Sequence, residues 1–245
     1  MSTVRPTHWP MSQFPIINDC LHIGGIPLTQ LVTRAGQTPF YAYDRRLLDE
    51  RIALLRNRLP SAIQLHYAVK ANPMPAVVQH LANLVDGLDV ASLGELSVAL
   101  DTGMDPAEIS FAGPGKRPLE LTAAIAAGIT INLESAGELE RVAQLGYEQG
   151  QQPRVAVRVN PDFELKASGM KMSGGPKPFG VDAEQTPMLL KRIKQLDLNF
   201  RGFHIFSGSQ NLRSEALIDA HDRTFELALR LAIDAPSPVQ ILNIG

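Results

Sequence analysis

The stretch His66-Tyr67-Ala68-Val69-Lys70-Ala71-Asn72-Pro73 indicates the fold, because it joins the end of a strand to the start of a helix. A β-like run begins at Gln64 and continues into this stretch. Asn72 and Pro73 then provide an N-cap and a first-turn proline for the helix that follows. Lys70 is therefore expected where a parallel strand ends, the edge at which α/β barrel enzymes place their catalytic groups.

The same alternation of strand and helix continues along the rest of the chain and predicts a parallel sheet with helical crossovers. Seven strands favour a TIM-like (β/α)8 barrel, incomplete at its C-terminal end, over an open doubly wound sheet, although strand counting alone leaves both possible. The predicted strands are residues 64–69, 88–91, 108–112, 130–133, 154–160, 200–206 and 239–244.

The first sixty or so residues differ in character from this pattern. Short β-like runs at residues 21–31 and 40–43 precede a helical pattern at residues 45–59, for which Asp44 is the expected N-cap. We therefore assign residues 1–43 to a second, largely absent β-domain and residues 44–245 to the barrel, truncated before its last strand. Because an unpaired apolar strand seldom ends a natural domain, the strand-like residues 241–245 lead us to expect a longer protein.

Composition is that of an ordinary globular protein, with 245 residues, 44% hydrophobic residues and a net charge of -2. A basic stripe for nucleic acid and an apolar run of about 18 residues for a membrane are both absent. Residues 1–19 lack the apolar region of a secretory signal, so we expect a cytoplasmic location. Cys20 is the only cysteine, and the histidines other than His204 have no metal-ligand spacing; we therefore expect neither an internal disulfide nor a metal site.

Six segments in a fixed order carry a family resemblance: residues 67–72, 88–96, 109–116, 154–161, 208–210 and 243–245. They resemble the ornithine, diaminopimelate and arginine decarboxylases, pyridoxal-phosphate-dependent enzymes of the alanine-racemase fold type. The first segment is similar to their cofactor-lysine motif, and the last to the opening of their glycine-rich phosphate loop. Residues 23–27, 40–44, 169–172 and 202–206 also resemble a decarboxylase-like subgroup associated with bacterial exosortase A and exopolysaccharide gene clusters.

The resemblance implies pyridoxal 5'-phosphate as the cofactor and Lys70 as the catalytic lysine that binds it as a Schiff base and later carries a proton. It also implies that Ser209 binds the phosphate together with the backbone amides of Gly208 and Gly245. Short turns lined by glycine expose N–H donors to an anion, which gives this assignment a physical basis.

Three charged residues on barrel strands or at their ends complete the implied site. Asp89 is expected to interact with the lysine or the cofactor, Glu95 lies at the following turn, and Arg158 is expected beside the cofactor ring. A structural ion pair or helix cap is the alternative for each, because charged groups inside a barrel need partners whatever their function.

One departure from the family pattern lies on the sixth predicted strand. Family members read His-x-His and stack the second histidine on the pyridine ring, whereas this chain has His204 and Phe206. Phe206 can stack without the proton or hydrogen bond of histidine. Alternatively His204 stacks, or it is a structural core histidine. The replacement bears more on the choice of substrate than on cofactor binding.

The activity implied by the resemblance is decarboxylation of an amino acid by a homodimer. Diaminopimelate, ornithine and a carrier-bound aminoacyl group are the candidate substrates, while an amino-acid racemase and a non-catalytic homologue are the alternative functions. The glycine-rich residues 173–180 lack the order of a phosphate-binding P-loop. The resemblance implies that they form the active-site loop after the fifth strand.

Overall fold

The computed structural model describes residues 11–163, 170–171, 178–209 and 213–245. Two compact units make up the chain, Met1–Gln64 and Leu65–Gly245. Within the described ranges, no helix combines the length and the apolar character that a membrane span requires. The assignment of residues 1–43 and 44–245 to two domains stays a prediction.

From residue 11 onward, the first unit contains a small antiparallel sheet, in which each strand pairs with the next, and two helices. Asp44 is the N-cap of the second helix, as expected, because its Oδ1 accepts a hydrogen bond from Arg46 N at 3.0 Å. The elements are β1 (Ile16–Ile17), β2 (Cys20–Ile23), β3 (Ile26–Pro27), α1 (Leu28–Ala35) and α2 (Arg45–Arg58).

Two predictions for this unit are wrong. Residues 28–31 are the first turn of α1 rather than strand, because Leu28, Leu31 and Val32 have helical spacing. Residues 40–43 form no strand, and Tyr41 is 91% exposed, so this short run has no buried face to hold it in a sheet.

The second unit is built around one large sheet with helices between its strands. Its strands are β4 (His66–Ala68), β5 (Gly87–Val90), β6 (Ile109–Phe111), β7 (Thr130–Leu133), β8 (Arg154–Asn160), β9 (Met170–Lys171), β10 (Val181–Asp182), β11 (Asn199–Ile205), β12 (Gly208–Ser209) and β13 (Ile241–Asn243). Its helices are α3 (Pro75–Ala82), α4 (Leu93–Asp101), α5 (Pro118–Ala127), α6 (Ala136–Gln149), α7 (Thr186–Gln195) and α8 (Ser214–Ala232).

Seven of these strands are parallel and neighbour one another in chain order, β4-β5-β6-β7-β8-β11-β13. A doubly wound sheet would reverse its order at a switch point, whereas an uninterrupted order is that of a (β/α) barrel. The seven predicted strands and the barrel-type fold are confirmed. Short β10 adds to the end of β8 in parallel, and β12 pairs with β9 in a separate two-stranded sheet.

The helix after β4 begins later than the sequence suggested. Val69–Ala71 form a single 3-10 turn, and α3 begins at Pro75 with Met74 as its N-cap. Asn72 is not the cap, because its side-chain oxygen accepts from Met74 N at 3.0 Å and closes a turn before the helix. Lys70 consequently lies in the tight turn between strand and helix.

Gly202 determines how closely β11 and β13 approach. It lies at an irregularity in the pairing of β11 with β8, and its φ is +150°. A Cβ atom at this position would lie 1.9 Å from the carbonyl oxygen of Ile241. Only glycine therefore permits the observed contact between the sixth and seventh barrel strands.

Candidate active site

Six barrel strands each carry a polar residue next to apolar ones. On β5, β6, β7, β8 and β11 it lies between two apolar residues, and on β13 it follows one. Because successive side chains of a strand point to opposite faces, the apolar residues, including the fully buried Leu88, Ile109 and Phe203, pack on one face and the polar ones line the other. The polar residues are Asp89, Ser110, Asn132, Arg158, His204 and Asn243.

A hydrogen-bond chain connects several of these side chains. Asn132 Nδ2 donates to Ser110 Oγ at 3.2 Å, and Ser110 Oγ donates to Asp89 Oδ1 at 2.6 Å. His66 Nδ1 lies 3.3 Å from the same Asp89 oxygen, and Asn243 Nδ2 donates to the other at 3.3 Å. The Asp89 carboxylate is thus the centre of a polar layer.

Asp89 remains ionised in this layer. Burial opposes ionisation, but the hydrogen bond and charge of His66 and the hydroxyl of Ser110 outweigh it and lower the pKa of Asp89. Among the described residues, no hydrogen bond or ion pair joins Asp89 to Lys70, which was one of the expected contacts.

Lys70 lies at the carboxyl end of β4, in the turn of residues 69–71. The preceding residue, Val69, is completely buried, and Tyr67 Oη donates to Asn72 O at 3.1 Å, so both sides of the turn are fixed. Lys70 itself is exposed, and its ammonium has no hydrogen bond or ion pair within the described part of the chain. Its positive charge nevertheless reaches His204, whose pKa it helps to lower.

His204 is an uncharged histidine inside the site. Burial and the charge of Arg158 lower the pKa of His204 to about 4, against the opposing effects of Asp89 and Glu134. Its Nδ1 atom is buried and has no hydrogen-bond partner among the described residues. A neutral imidazole with an unsatisfied ring nitrogen is therefore available at the carboxyl edge of the barrel.

Arg158 lies on β8 with a side chain that is 11% exposed. Its Nη1 donates to Glu134 Oε1 at 2.9 Å, and its Cζ lies 4.8 Å from the ring centroid of Phe179. The guanidinium is thus held between a carboxylate and an aromatic face.

The predicted phosphate-binding residues follow β11 and β13. Gly208 and Ser209 form β12, whose backbone pairs with Lys171 and Met170, and Gln210 lies outside the described residues. Gly245 has a φ of +96°, and its N–H donates to Asn243 Oδ1 at 2.9 Å.

Phe206 is in close contact with Gly245. A Cβ atom on Gly245 would lie 2.1 Å from Phe206 Cδ2. The half-buried Phe206 ring therefore packs directly against the backbone of Gly245, although the two residues are far apart in the sequence.

Glu95 is a helix-capping residue. Its Oε2 accepts from Ala91 N at 2.8 Å, while Ser92 Oγ accepts from Glu95 N at 3.2 Å. This is the reciprocal arrangement of a capping box, displaced by one residue, and it fits the structural alternative for Glu95.

Sequence reasoning missed a group of buried charges behind the polar layer. Lys116 Nζ lies 3.0 Å from Glu138 Oε1 and donates to the carbonyl oxygens of Gly113 and Asn132 at 2.6 and 2.9 Å. Glu134 is likewise buried and receives Arg158. A signal was present, because Glu134-Ser-Ala-Gly-Glu-Leu139 repeats the pattern of Ala91-Ser-Leu-Gly-Glu-Leu96 after a strand.

The residues 164–169 and 172–177 lie outside the described part, so the expected active-site loop and the 169–172 segment are described only at residues 170–171 and 178–180.

Comparison with known proteins gives concordant results. Residues 45–245 match the family model described as "Pyridoxal-dependent decarboxylase, pyridoxal binding domain". The chain is 36% identical over 214 residues to a diaminopimelate decarboxylase of Aquifex aeolicus, covering 84% of this chain and 50% of the relative. It is 33% identical over 220 residues to an L-glutamyl-[BtrI acyl-carrier protein] decarboxylase of Niallia circulans, covering 87% of this chain and 50% of the relative.

A solved structure is similar as well. Diaminopimelate decarboxylase from M. jannaschii, in complex with L-lysine, matches with a TM-score of 0.80 at 26% identity, over 95% of this chain and 56% of that chain. The chain thus spans about half the length of the relatives it matches.

Proposed function

We propose that this chain, which belongs to the pyridoxal-dependent decarboxylase family, forms the cofactor-binding barrel of an amino-acid decarboxylase in which Lys70 attaches the cofactor. The position of Lys70 carries the proposal. Lys70 is exposed at the carboxyl end of the first barrel strand, and its side chain has no polar partner among the described residues. A purely structural lysine here would be expected to pair with Asp89 on the next strand. The Asp89 carboxylate is instead bonded to other side chains.

The described residues fit pyridoxal 5'-phosphate, the cofactor implied by the family. Lys70 offers an amine to its aldehyde, Arg158 a fixed cation and Phe206 an aromatic face. His204 Nδ1 is a buried polar atom that no described residue hydrogen-bonds, as expected where a ligand completes a site. Whether His204 or Phe206 stacks on the cofactor ring stays a prediction.

Each residue has a chemical task in this proposal. Bound pyridoxal phosphate supplies an electron-withdrawing ring that stabilises the charge left on the α-carbon when carbon dioxide departs. Lys70 holds the cofactor and then delivers a proton to that carbon. His204 stays neutral at physiological pH, because its pKa is about 4, and so it adds no second cation beside Arg158.

For the substrate we propose an amino acid with a second polar group, either free or bound to a carrier protein. Two relatives support both forms, since one is a diaminopimelate decarboxylase and the other a decarboxylase of a glutamyl group on an acyl-carrier protein. Ornithine and membership of the exosortase-associated subgroup stay predictions from the resemblance. So do a homodimer and a cytoplasmic location.

The test is carbon dioxide release from diaminopimelate, ornithine and a glutamyl carrier protein, with pyridoxal phosphate added. We expect release from at least one of them and a loss of at least about 100-fold in Lys70→Ala. Lys191→Ala, which changes an exposed lysine on α7, is the matched control and should retain full activity. Exchange of the α-proton without carbon dioxide would instead identify a racemase, and no turnover with any substrate would favour a non-catalytic homologue.

A further inference from the structure

Glu134 is a buried carboxylate for which the family resemblance gave no role. It follows β7 directly, and its side chain is 1% exposed. Gly113 N and Arg158 Nη1 both donate to Oε1, the latter at 2.9 Å, and Gly180 N donates to Oε2 at 3.1 Å. These donors belong to the loop after β6, to β8 and to the segment before β10. One side chain therefore joins β7 to three other segments at the carboxyl edge of the barrel.

The two contacts that Arg158 makes with described side chains, Glu134 and Phe179, both depend on Glu134. The first is the ion pair itself. The second is the contact with the Phe179 ring. Phe179 directly precedes Gly180, and the N–H of Gly180 donates to Glu134. A long, charged side chain without such contacts populates several rotamers, so Glu134 selects one position of the guanidinium.

The Gly180 backbone is held tightly against β8. Its φ is +79°, and a Cβ atom would lie 3.0 Å from both Arg158 O and Asn160 N. The next residues, Val181–Asp182, extend the sheet as β10. Glu134 thus binds the backbone directly before β10.

The charges around Glu134 are balanced. Its own N–H donates to Glu138 Oε2 at 2.8 Å, and Glu138 forms the ion pair with Lys116. Two buried carboxylates therefore face two buried cations. Neutralising Glu134 would leave Arg158 buried without its counter-charge, and a buried unpaired charge tends to move toward water. The charge of Arg158 lowers the pKa of His204, so movement of Arg158 would change the electrostatic environment of His204 at the centre of the site.

We propose that Glu134 is a positioning residue of the active site, which fixes Arg158 beside His204 and holds residues 179–180 against β8. It acts through these groups rather than by touching substrate or cofactor. The inference rests on the proposed function, because it assumes that Arg158 and His204 surround pyridoxal phosphate.

Glu134→Gln tests this inference, because glutamine has the same size but presents an amide where three donors meet. We expect the dissociation constant of pyridoxal phosphate to rise at least about tenfold and the absorption spectrum of the bound cofactor to change. The Lys70 adduct should still form at saturating cofactor. In the protein without cofactor, the Gly180 amide should exchange its hydrogen faster. Glu140→Gln, which removes an exposed carboxylate on α6 paired with Arg192, should leave all these properties unchanged.

Glu134→Asp is the second variant, for use if the glutamine variant fails to fold. It keeps the charge but is one methylene shorter, so we expect effects between those of wild type and Glu134→Gln. Wild-type affinity, spectrum and Gly180 exchange in the folded Glu134 variants would overturn the inference while leaving the proposed function intact. Absence of a cofactor adduct in the wild-type protein would overturn both, so the two failures are distinguishable.

Discussion

Asn243 donates from Nδ2 to Asp89 Oδ2 at 3.3 Å, although 154 residues separate the two in sequence. They lie on β13 and β5, five places apart in the strand order β13-β11-β8-β7-β6-β5. In a flat sheet, five strand spacings would place them about 24 Å apart. The sheet must therefore curve until its far strands face each other, which is the geometry of a barrel.

This contact contributes to stability as well as shape. In Asn243→Ala, Asp89 loses a donor and Gly245 N loses its acceptor, so we expect the free energy of unfolding to fall by about 1–3 kcal/mol. Urea denaturation measures the change. Asn83→Ala, which removes an exposed hydrogen bond to Gln79 O on α3, should cost clearly less, and equal losses would show that the cross-barrel contact has no special weight.

The His66–Asp89 pair should make stability depend on pH. Burial opposes protonation of His66, but the hydrogen bond and charge of Asp89, with the charges of Glu108 and Asp86, outweigh it and raise the pKa of His66 above 6.5. The folded protein then binds the proton more tightly than the unfolded chain. This stabilisation is complete below pH 6.5 and is lost as pH rises through the higher pKa of the folded state.

His66→Phe should abolish that pH dependence, because phenylalanine keeps a ring next to Gly87 but cannot titrate. We expect a flatter profile of unfolding free energy between pH 6 and 8, measured by denaturation at several pH values. His221→Gln, at an exposed histidine of α8, serves as the control and should keep the wild-type slope. An unchanged slope in His66→Phe would show that His66 does not carry the effect.

The buried Lys116–Glu138 pair should behave differently from a surface pair. Burial lowers the pKa of Lys116 and raises the pKa of Glu138, so each ion depends on the other to stay charged. Lys116→Met should cost about 3–5 kcal/mol of stability, and combining it with Glu138→Gln should recover part of the loss. Breaking the exposed Arg192–Glu140 pair should cost much less, because water screens its charges. Additive losses in the double variant would contradict this coupling.

Gly245→Ala should disturb the cofactor site through Phe206, since the new Cβ atom would overlap the phenylalanine ring. We expect at least about tenfold weaker binding of pyridoxal phosphate, measured by titration of its absorbance. Gly103→Ala is the matched control, because Gly103 also has a positive φ, +76°, but no described residue beyond its chain neighbours lies within 4 Å of its Cβ position. It should lose about 1–2 kcal/mol of stability and no cofactor affinity. Equal cofactor affinity in both variants would show that the contact with Phe206 is unimportant.

The sequence predicts the barrel well because its signals are local. Asp89 and His204 each stand between apolar neighbours that must be buried, which is the period-two pattern of a strand. The turn at Lys70 was placed correctly for the same reason. The start of α3 was missed because Asn72 can cap either a helix or a turn, and its local sequence does not distinguish the two.

The buried ionic group could not be predicted with the same ease. Glu134 and Lys116 resemble surface residues until the fold brings Arg158 and Glu138 beside them. Their partners lie 22 to 24 positions away along the chain, beyond the reach of periodicity. Similarly, Phe206 and Gly245 become neighbours only when β11 and β13 pair.

The most direct test of the central claim is mass spectrometry of the purified protein after incubation with pyridoxal phosphate and borohydride reduction. We expect a pyridoxyl adduct on the peptide that contains Lys70, and no adduct at this peptide in Lys70→Ala. A protein that carries no adduct at Lys70 with saturating cofactor, or carries it on a different lysine, would contradict the assignment of Lys70 as the cofactor-binding residue.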